Sequence, residues 1–212
     1  MSAVNFIRRA GVLGVLLLAL TPLAATAAQE PIDSSSPQRL VETAAKALLA
    51  DLDANRESYR KDIGALQKSI ESRFLQHVDT QYAAQQVLGA AWRTATPEQR
   101  ERFVNAFKQV MLGTYGSALL DFTAENLTIK PFRGDAAASS ATIDTEIKRA
   151  NGASVAVSFI LRKNTSGWKV WDVSIEGIRY VGVFRSDIGS EVSQKGLEAV
   201  IKRLETQQAA AK

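Results

Sequence analysis

The stretch ATIDTEIKRANGASVAVSFILRK, residues 141–163, runs through two rounds of apolar and polar alternation with a turn between them. Ala141, Ile143, Thr145 and Ile147 fall on one face of an extended chain, and Thr142, Asp144, Glu146 and Lys148 on the other. That period of two is what a half-buried strand requires. Asn151-Gly152 is a pair favoured in tight hairpin turns. Beyond it, Val155, Val157, Phe159 and Leu161 repeat the pattern over residues 154–163. Working outward, residues 127–132 read as a preceding strand with a loop at Gly134-Asp135. Asn164-Thr165-Ser166-Gly167 turns the chain into a last strand over residues 168–177. A four-stranded antiparallel meander is predicted. Around Trp171-Asp172-Val173 the alternation breaks, which predicts either a bulge or a strand covered on both faces.

On both sides of this block the period returns to about 3.6. After a linker rich in Pro and Ser, Leu40, Ala44, Leu48 and Leu52, then Ile63, Leu66, Ile70 and Phe74, mark two amphipathic helices. A third is expected over residues 79–93, carrying Tyr82, Val87, Leu88, Ala91 and Trp92. Thr96-Pro97-Glu98-Gln99 then reads as a capping box with Pro at the first helical position, where its missing N–H costs nothing. From there Phe103, Phe107, Val110, Met111, Thr114, Tyr115, Ala118, Leu119 and Phe122 form the largest apolar stripe of the chain. Past Gly177, Val181, Phe184 and Ile188, then Leu197, Val200, Ile201 and Leu204, close the chain in helices. The fold class is α+β: helices first, one curved antiparallel sheet, helices last.

With 46% hydrophobic and 23% charged residues in 212, the composition is that of a globular protein and excludes a disordered or fibrous one. Arg8-Arg9, the apolar run 10–20 and the small residues Ala25-Thr26-Ala27 read as a secretory signal peptide, too short for a membrane span. The expected organisation is a cleaved signal over residues 1–27, a linker over 28–38, one domain over 39–208 and a tail over 209–212. Cleavage removes two of 26 basic residues, leaving 24 against 22 acidic ones, a mature charge of +2. Basic residues alternate with acidic ones throughout, which argues against nucleic acid as partner. Cysteine is absent, so there is neither a disulfide framework nor a lipid-modified cysteine, and a bacterial periplasm is the compartment that fits.

Catalytic constellations are scarce. The single histidine, His77, excludes a site of several imidazoles, and no tight acidic cluster, nucleophile elbow or phosphate loop is present. His77 beside Asp79 is read as a helix junction with Asp79 as cap. Asp172 is expected to accept hydrogen bonds from nearby backbone or to pair with Arg179 or Arg185. An enzyme using Asp172 or His77 in an apolar pocket, and a periplasmic chaperone or adaptor with an apolar groove, are the competing readings.

The segments Val87-Leu88-Gly89-Ala90-Ala91-Trp92-Arg93, Thr96-Pro97-Glu98-Gln99-Arg100 with Phe103 and Phe107, Tyr115, Gly167-Trp168-Lys169-Val170-Trp171-Asp172-Val173, Glu176-Gly177 and Phe184-Arg185 carry a resemblance. Together they resemble the periplasmic phospholipid shuttles of the maintenance-of-lipid-asymmetry pathway, the toluene-tolerance auxiliary family of a lipid ABC transporter. The resemblance runs from about Leu40 to Leu204. It departs from the family pattern at Ile178-Arg179-Tyr180 and at Ser186-Asp187-Ile188, near the expected cavity mouth. It implies a cone-like α+β fold with an apolar cavity and no cofactor. The cargo implied is a glycerophospholipid, and the implied partners are an inner-membrane lipid ABC transporter complex and an outer-membrane lipoprotein–porin complex. The lining it implies comprises Leu88, Trp92, Phe103, Phe107, Val110, Met111, Tyr115 and Leu119 from the helices, Val155, Val157, Phe159, Val173 and Ile175 from the strands, and Ile178, Val181 and Phe184 beyond them.

Overall fold

The structure, a computed structural model, describes residues 31–135, 137–148 and 152–210. The signal peptide and Asn151 of the expected hairpin turn lie outside the described residues, although Gly152 has the positive φ, 82°, that such a turn uses.

Helix α1 (Pro37–Lys61) starts with Pro37 at its first position and with the Ser36 hydroxyl accepting from the Arg39 N–H at 3.1 Å. Asp62 ends it and caps α2 (Ile63–Arg73), accepting from the Ala65 N–H at 3.0 Å. A short 3-10 turn (Leu75–His77) leads to α3 (Thr80–Leu88), capped by Asp79. The helix expected over residues 79–93 is broken at Gly89. Its φ of 55° and ψ of −115° suit glycine, and they separate α3 from the one-turn α4 (Ala90–Thr94). α5 (Pro97–Tyr115) opens with the full capping box of Thr96 and Gln99. Its apolar stripe continues past Tyr115, but as a 3-10 turn (Ser117–Asp121).

The sheet has five strands, one more than expected: β1 (Leu127–Ile129), β2 (Ser140–Lys148), β3 (Ser154–Asn164), β4 (Gly167–Ile175) and β5 (Ile178–Arg179), each antiparallel to its neighbour in the chain. The added strand is two residues long, joined to β4 by a turn at Glu176-Gly177, both at positive φ. β1 is shorter than the six residues expected. The broken alternation is a bulge: Ile160 opposes Asp172 while Leu161 opposes Val170, leaving Trp171 as the extra residue. α6 (Tyr180–Lys195) and α7 (Leu197–Ala210) follow, separated at Gly196.

The apolar interior is divided. One cluster packs Val87, Leu88, Trp92, Phe103, Phe107, Ile188 and Val200 between α3, α4, α5, α6 and α7. A second joins Leu49, Leu52 and Tyr59 of α1 to Leu66, Ile70, Leu112 and Leu120. A third seats Leu40 and Val41 of α1 on Ala141, Ile143, Leu161 and Trp168 of the sheet. One contiguous core is usual in a domain of this size. Here α1 is the element common to the second and third clusters, and α5 to the first and second.

Candidate functional site

Strand register decides which side chains face the divided interior. Ile147 opposes Val155, Val157 opposes Ile175 and Phe159 opposes Val173, so these six share one face with Ile143 and Thr145. Val155 and Val157 are buried, whereas Phe159, Val173 and Ile175 are only half-buried. The opposite face carries Thr142, Asp144, Ser158 and Ile160.

Helix α1 covers one end of that face, with Phe159 packed against the cluster of Leu40, Val41 and Ile143, and α6 packs against β4. Leu88, Trp92, Phe103 and Phe107 lie in the helical cluster, with Val110, Met111, Val181 and Phe184 partly buried against it. Leu119 packs on the second cluster. Tyr115 is 43% exposed and Ile178 59% exposed. Rings connect α5 to α6. Phe107 meets Phe184 edge-on at 5.3 Å, and Tyr115, Tyr180 and Phe184 lie 5.9 to 6.3 Å apart in a three-ring group. Beside them is an almost wholly apolar groove of about 240 Å³, lined by Ile70, Leu75, Val78, Ala83, Phe107, Met111, Tyr115 and Leu119 among others. Phe107, Met111, Tyr115 and Leu119 were expected on such a wall. The contribution of Ile70, Leu75, Val78 and Ala83 was not, because three of those four sit at or near helix ends, where stripe counting loses its register. At its edge Lys108 pairs with Glu71 at 2.6 Å, and that hydrogen bond holds the Glu71 carboxyl below its ordinary range.

The two residues considered for chemistry are engaged structurally. Asp172 is buried. One oxygen accepts from the N–H groups of Val173 at 2.8 Å and Val181 at 3.0 Å, and the other from Arg179 Nε at 2.8 Å. It thus caps α6 from a neighbouring strand, where the formal cap residue, Arg179, offers no side-chain bond. Asp79 bonds the Tyr82 N–H at 3.0 Å and Arg162 at 3.0 Å, so its oxygens are occupied away from His77. Burial first, and then the charge of Lys169, hold the His77 imidazole below its ordinary pKa. Its Nδ1 is buried without a hydrogen-bond partner. Among the described residues, no three His, Asp or Glu side chains converge as a metal site needs.

A buried polar group that the sequence reading missed lies in the α1–α2 hairpin. Asp51 accepts from Tyr59 at 2.8 Å, Ser69 at 2.6 Å and Asn55 at 3.2 Å, and pairs with Arg73 at 3.1 Å. Its partners lie up to 22 positions away in ordinary polar sequence, which leaves no local signal.

The family model of the MlaC protein matches residues 42–206. Toluene tolerance protein ttg2D of Pseudomonas putida is 31% identical over 183 residues, covering 86% of this chain and 82% of that protein. The intermembrane phospholipid transport system binding protein MlaC of Haemophilus influenzae is 27% identical over 194 residues, 90% of each. In fold, the chain is similar to the phospholipid-binding protein of Ralstonia solanacearum, solved in complex with a phospholipid. The TM-score is 0.76 at 23% identity, over 84% of this chain and 99% of that one.

Proposed function

The chain belongs to the MlaC protein family, and on that premise we propose that it is a soluble periplasmic carrier of glycerophospholipid in the transport of phospholipid between membranes. The signal over residues 1–27 is removed, and residues 39–208 form the lipid-binding domain. Its partners are an inner-membrane lipid ABC transporter complex and an outer-membrane lipoprotein–porin complex, and its work maintains the lipid asymmetry of the outer membrane without catalysis. Among the described residues, no helix is long and apolar enough to cross a membrane.

The observation that carries this reading is the divided interior. Val173 and Ile175 of the sheet face are half-buried yet, among the described residues, belong to none of the three packed clusters. Exposing two acyl chains of about 15 methylenes each to water would cost roughly 24 kcal/mol at ~0.8 kcal/mol per methylene. A carrier therefore needs an apolar sleeve, and one made without strong polar anchors also releases its load. The groove of about 240 Å³ is smaller than the roughly 300–1,000 Å³ of usual ligand pockets. Loading therefore requires the groove to widen at the Tyr115, Tyr180 and Phe184 group, so that acyl chains replace ring contacts. Most of the sixteen residues named from the sequence divide accordingly. Leu88, Trp92 and Phe103 brace the helical wall and Val155 and Val157 pack within the sheet, while Phe107, Met111, Tyr115, Phe159, Val173, Ile175 and Phe184 touch the chains.

Native mass spectrometry of the protein purified from its own periplasm tests the reading. The expected spectrum shows the chain with one or more glycerophospholipid masses that dissociate intact. A bare chain turning over a small substrate, or one holding polypeptide, would refute carriage.

A further inference from the structure

The sheet face turned away from the proposed lipid space is not plain solvated surface. The loop after β1 bends over it, and the bulge at Trp171 raises a ring from it. Between them lies a hollow of about 900 Å³, far larger than the apolar groove. Its floor is Thr142, Asp144 and Ile160, which register places on one face. Its walls carry Phe132 and Trp171 together with three cations, Lys130, Arg133 and Arg179.

Charge in the lining of this hollow is unbalanced, three cations against one carboxylate. Several cations elsewhere sit directly against acids: Arg102 against Glu198 and Glu205, Arg203 against Glu191, Lys108 against Glu71. In the hollow the one lining carboxylate, Asp144, is held by the Ser158 hydroxyl at 2.6 Å. Lys130 reaches Glu146 only at 3.8 Å, and Arg133 stands exposed. Arg179 gives its Nε to Asp172, while its guanidinium lies 5.0 Å from the centre of the Trp171 ring and its side chain stays 50% exposed. A guanidinium on an indole face retains free N–H donors in a fixed fork, the geometry that receives carboxylates.

The geometry points to a docking site for an acidic, extended segment of a partner protein, its carboxylates on Lys130, Arg133 and Arg179 and an apolar side chain against Trp171 and Phe132. A concave floor does not meet a flat bilayer, and cations spread over three walls do not converge on one small anion. Carboxylates along an extended chain match both the spread and the shape. The floor residues Thr142, Asp144 and Ile160 lie on the sheet face opposite Phe159, Val173 and Ile175, so docking and the proposed cargo are separable.

The test uses fluorescein-labelled octapeptides with four Asp or Glu residues and one Phe, beside neutral and basic versions, titrated against the full mature protein. Acidic peptides are expected to bind saturably, and Arg133→Glu or Lys130→Glu to weaken them about tenfold. Lys46→Glu, on an exposed position of α1, makes the same change of net charge and is expected to leave binding within about twofold. The native mass of the Arg133→Glu protein should show unaltered lipid loading, which separates failure of this site from failure of the carrier reading. Equal weakening by Lys46→Glu, or no acidic peptide binding at any concentration, would overturn the proposal. So would tighter, Arg133-dependent binding to phosphatidylglycerol vesicles or to inorganic phosphate.

Discussion

Asp172 satisfies two groups at once, the positive end of α6 and the Arg179 guanidinium. Asp172→Asn keeps the shape but removes the charge and leaves one acceptor where there were two. It is expected to lower unfolding stability by about 1–3 kcal/mol in chemical denaturation while leaving co-purified phospholipid intact. Loss of transport in a stable, lipid-loaded variant would instead point to chemistry at this carboxylate. His77 gives a pH dependence. Its folded pKa lies below the ordinary 6.5, so the unfolded chain binds the proton more readily. Stability is therefore full above about pH 6.5 and declines as pH falls through the interval down to the depressed value. Urea midpoints at about pH 7.5 and about pH 5.5 should differ, and His77→Gln should shrink that difference. The lowered carboxylates Glu71, Glu191, Glu198 and Glu205 do not confuse the comparison, because their contribution is lost only below about pH 4.5. At this scale the sequence was informative where partners are near. Asp172 stands seven residues from Arg179, one of the two arginines expected for it. Asp51 was illegible, since nothing local distinguishes a buried carboxylate from a solvated one on α1.

Among the elements, those with a strong terminal signal were read correctly. The capping box of α5 forms as expected, and the alternation of residues 141–163 emerges as β2 and β3. The break at Gly89 was hidden because Val87, Leu88, Ala91 and Trp92 keep an apolar stripe running through it. Glycine there is required twice over. Its backbone suits few L-residues, and a Cβ would come within 3.2 Å of the Arg185 guanidinium. Gly89→Ala should cost about 1–3 kcal/mol, read as a lowered denaturation midpoint. A midpoint unchanged from the parent would show that α3 and α4 can run on as one helix. β5 was missed for a different reason: two residues beside a tight turn carry no period.

For the whole molecule, the proposed sleeve and a packed core predict different responses to added bulk. Val155 and Val157 are buried, whereas Ile175 on the same face is half-buried. Tryptophan at Val155 or Val157 should overpack and destabilise by about 1–3 kcal/mol. Ile175→Trp should retain the parental thermal midpoint and lose most of its bound phospholipid, as measured by lipid extraction and mass spectrometry. If Ile175→Trp unfolds as readily as the other two, the space is core and the carrier reading falls. Helix and strand periods made the α+β layout legible. They do not tell a lipid space from a core, because a stripe of Phe103, Phe107, Met111 and Tyr115 reads the same whether protein or lipid fills the other side.

The meander also orders events in time. Each strand pairs with its immediate successor, so β2, β3 and β4 can zip as successive hairpins over short loops. α1 has no such neighbour for its first turns. Leu40 and Val41 rest on residues 141, 143, 161 and 168, and Gln38 accepts from the Phe132 N–H at 2.9 Å, so their contacts close loops of about a hundred residues. An emerging chain therefore carries the apolar side of the first turns of α1 bare until the last of the large strands is made. In pulse-labelling hydrogen exchange, amides of β2–β4 should gain protection before those of the first three turns of α1.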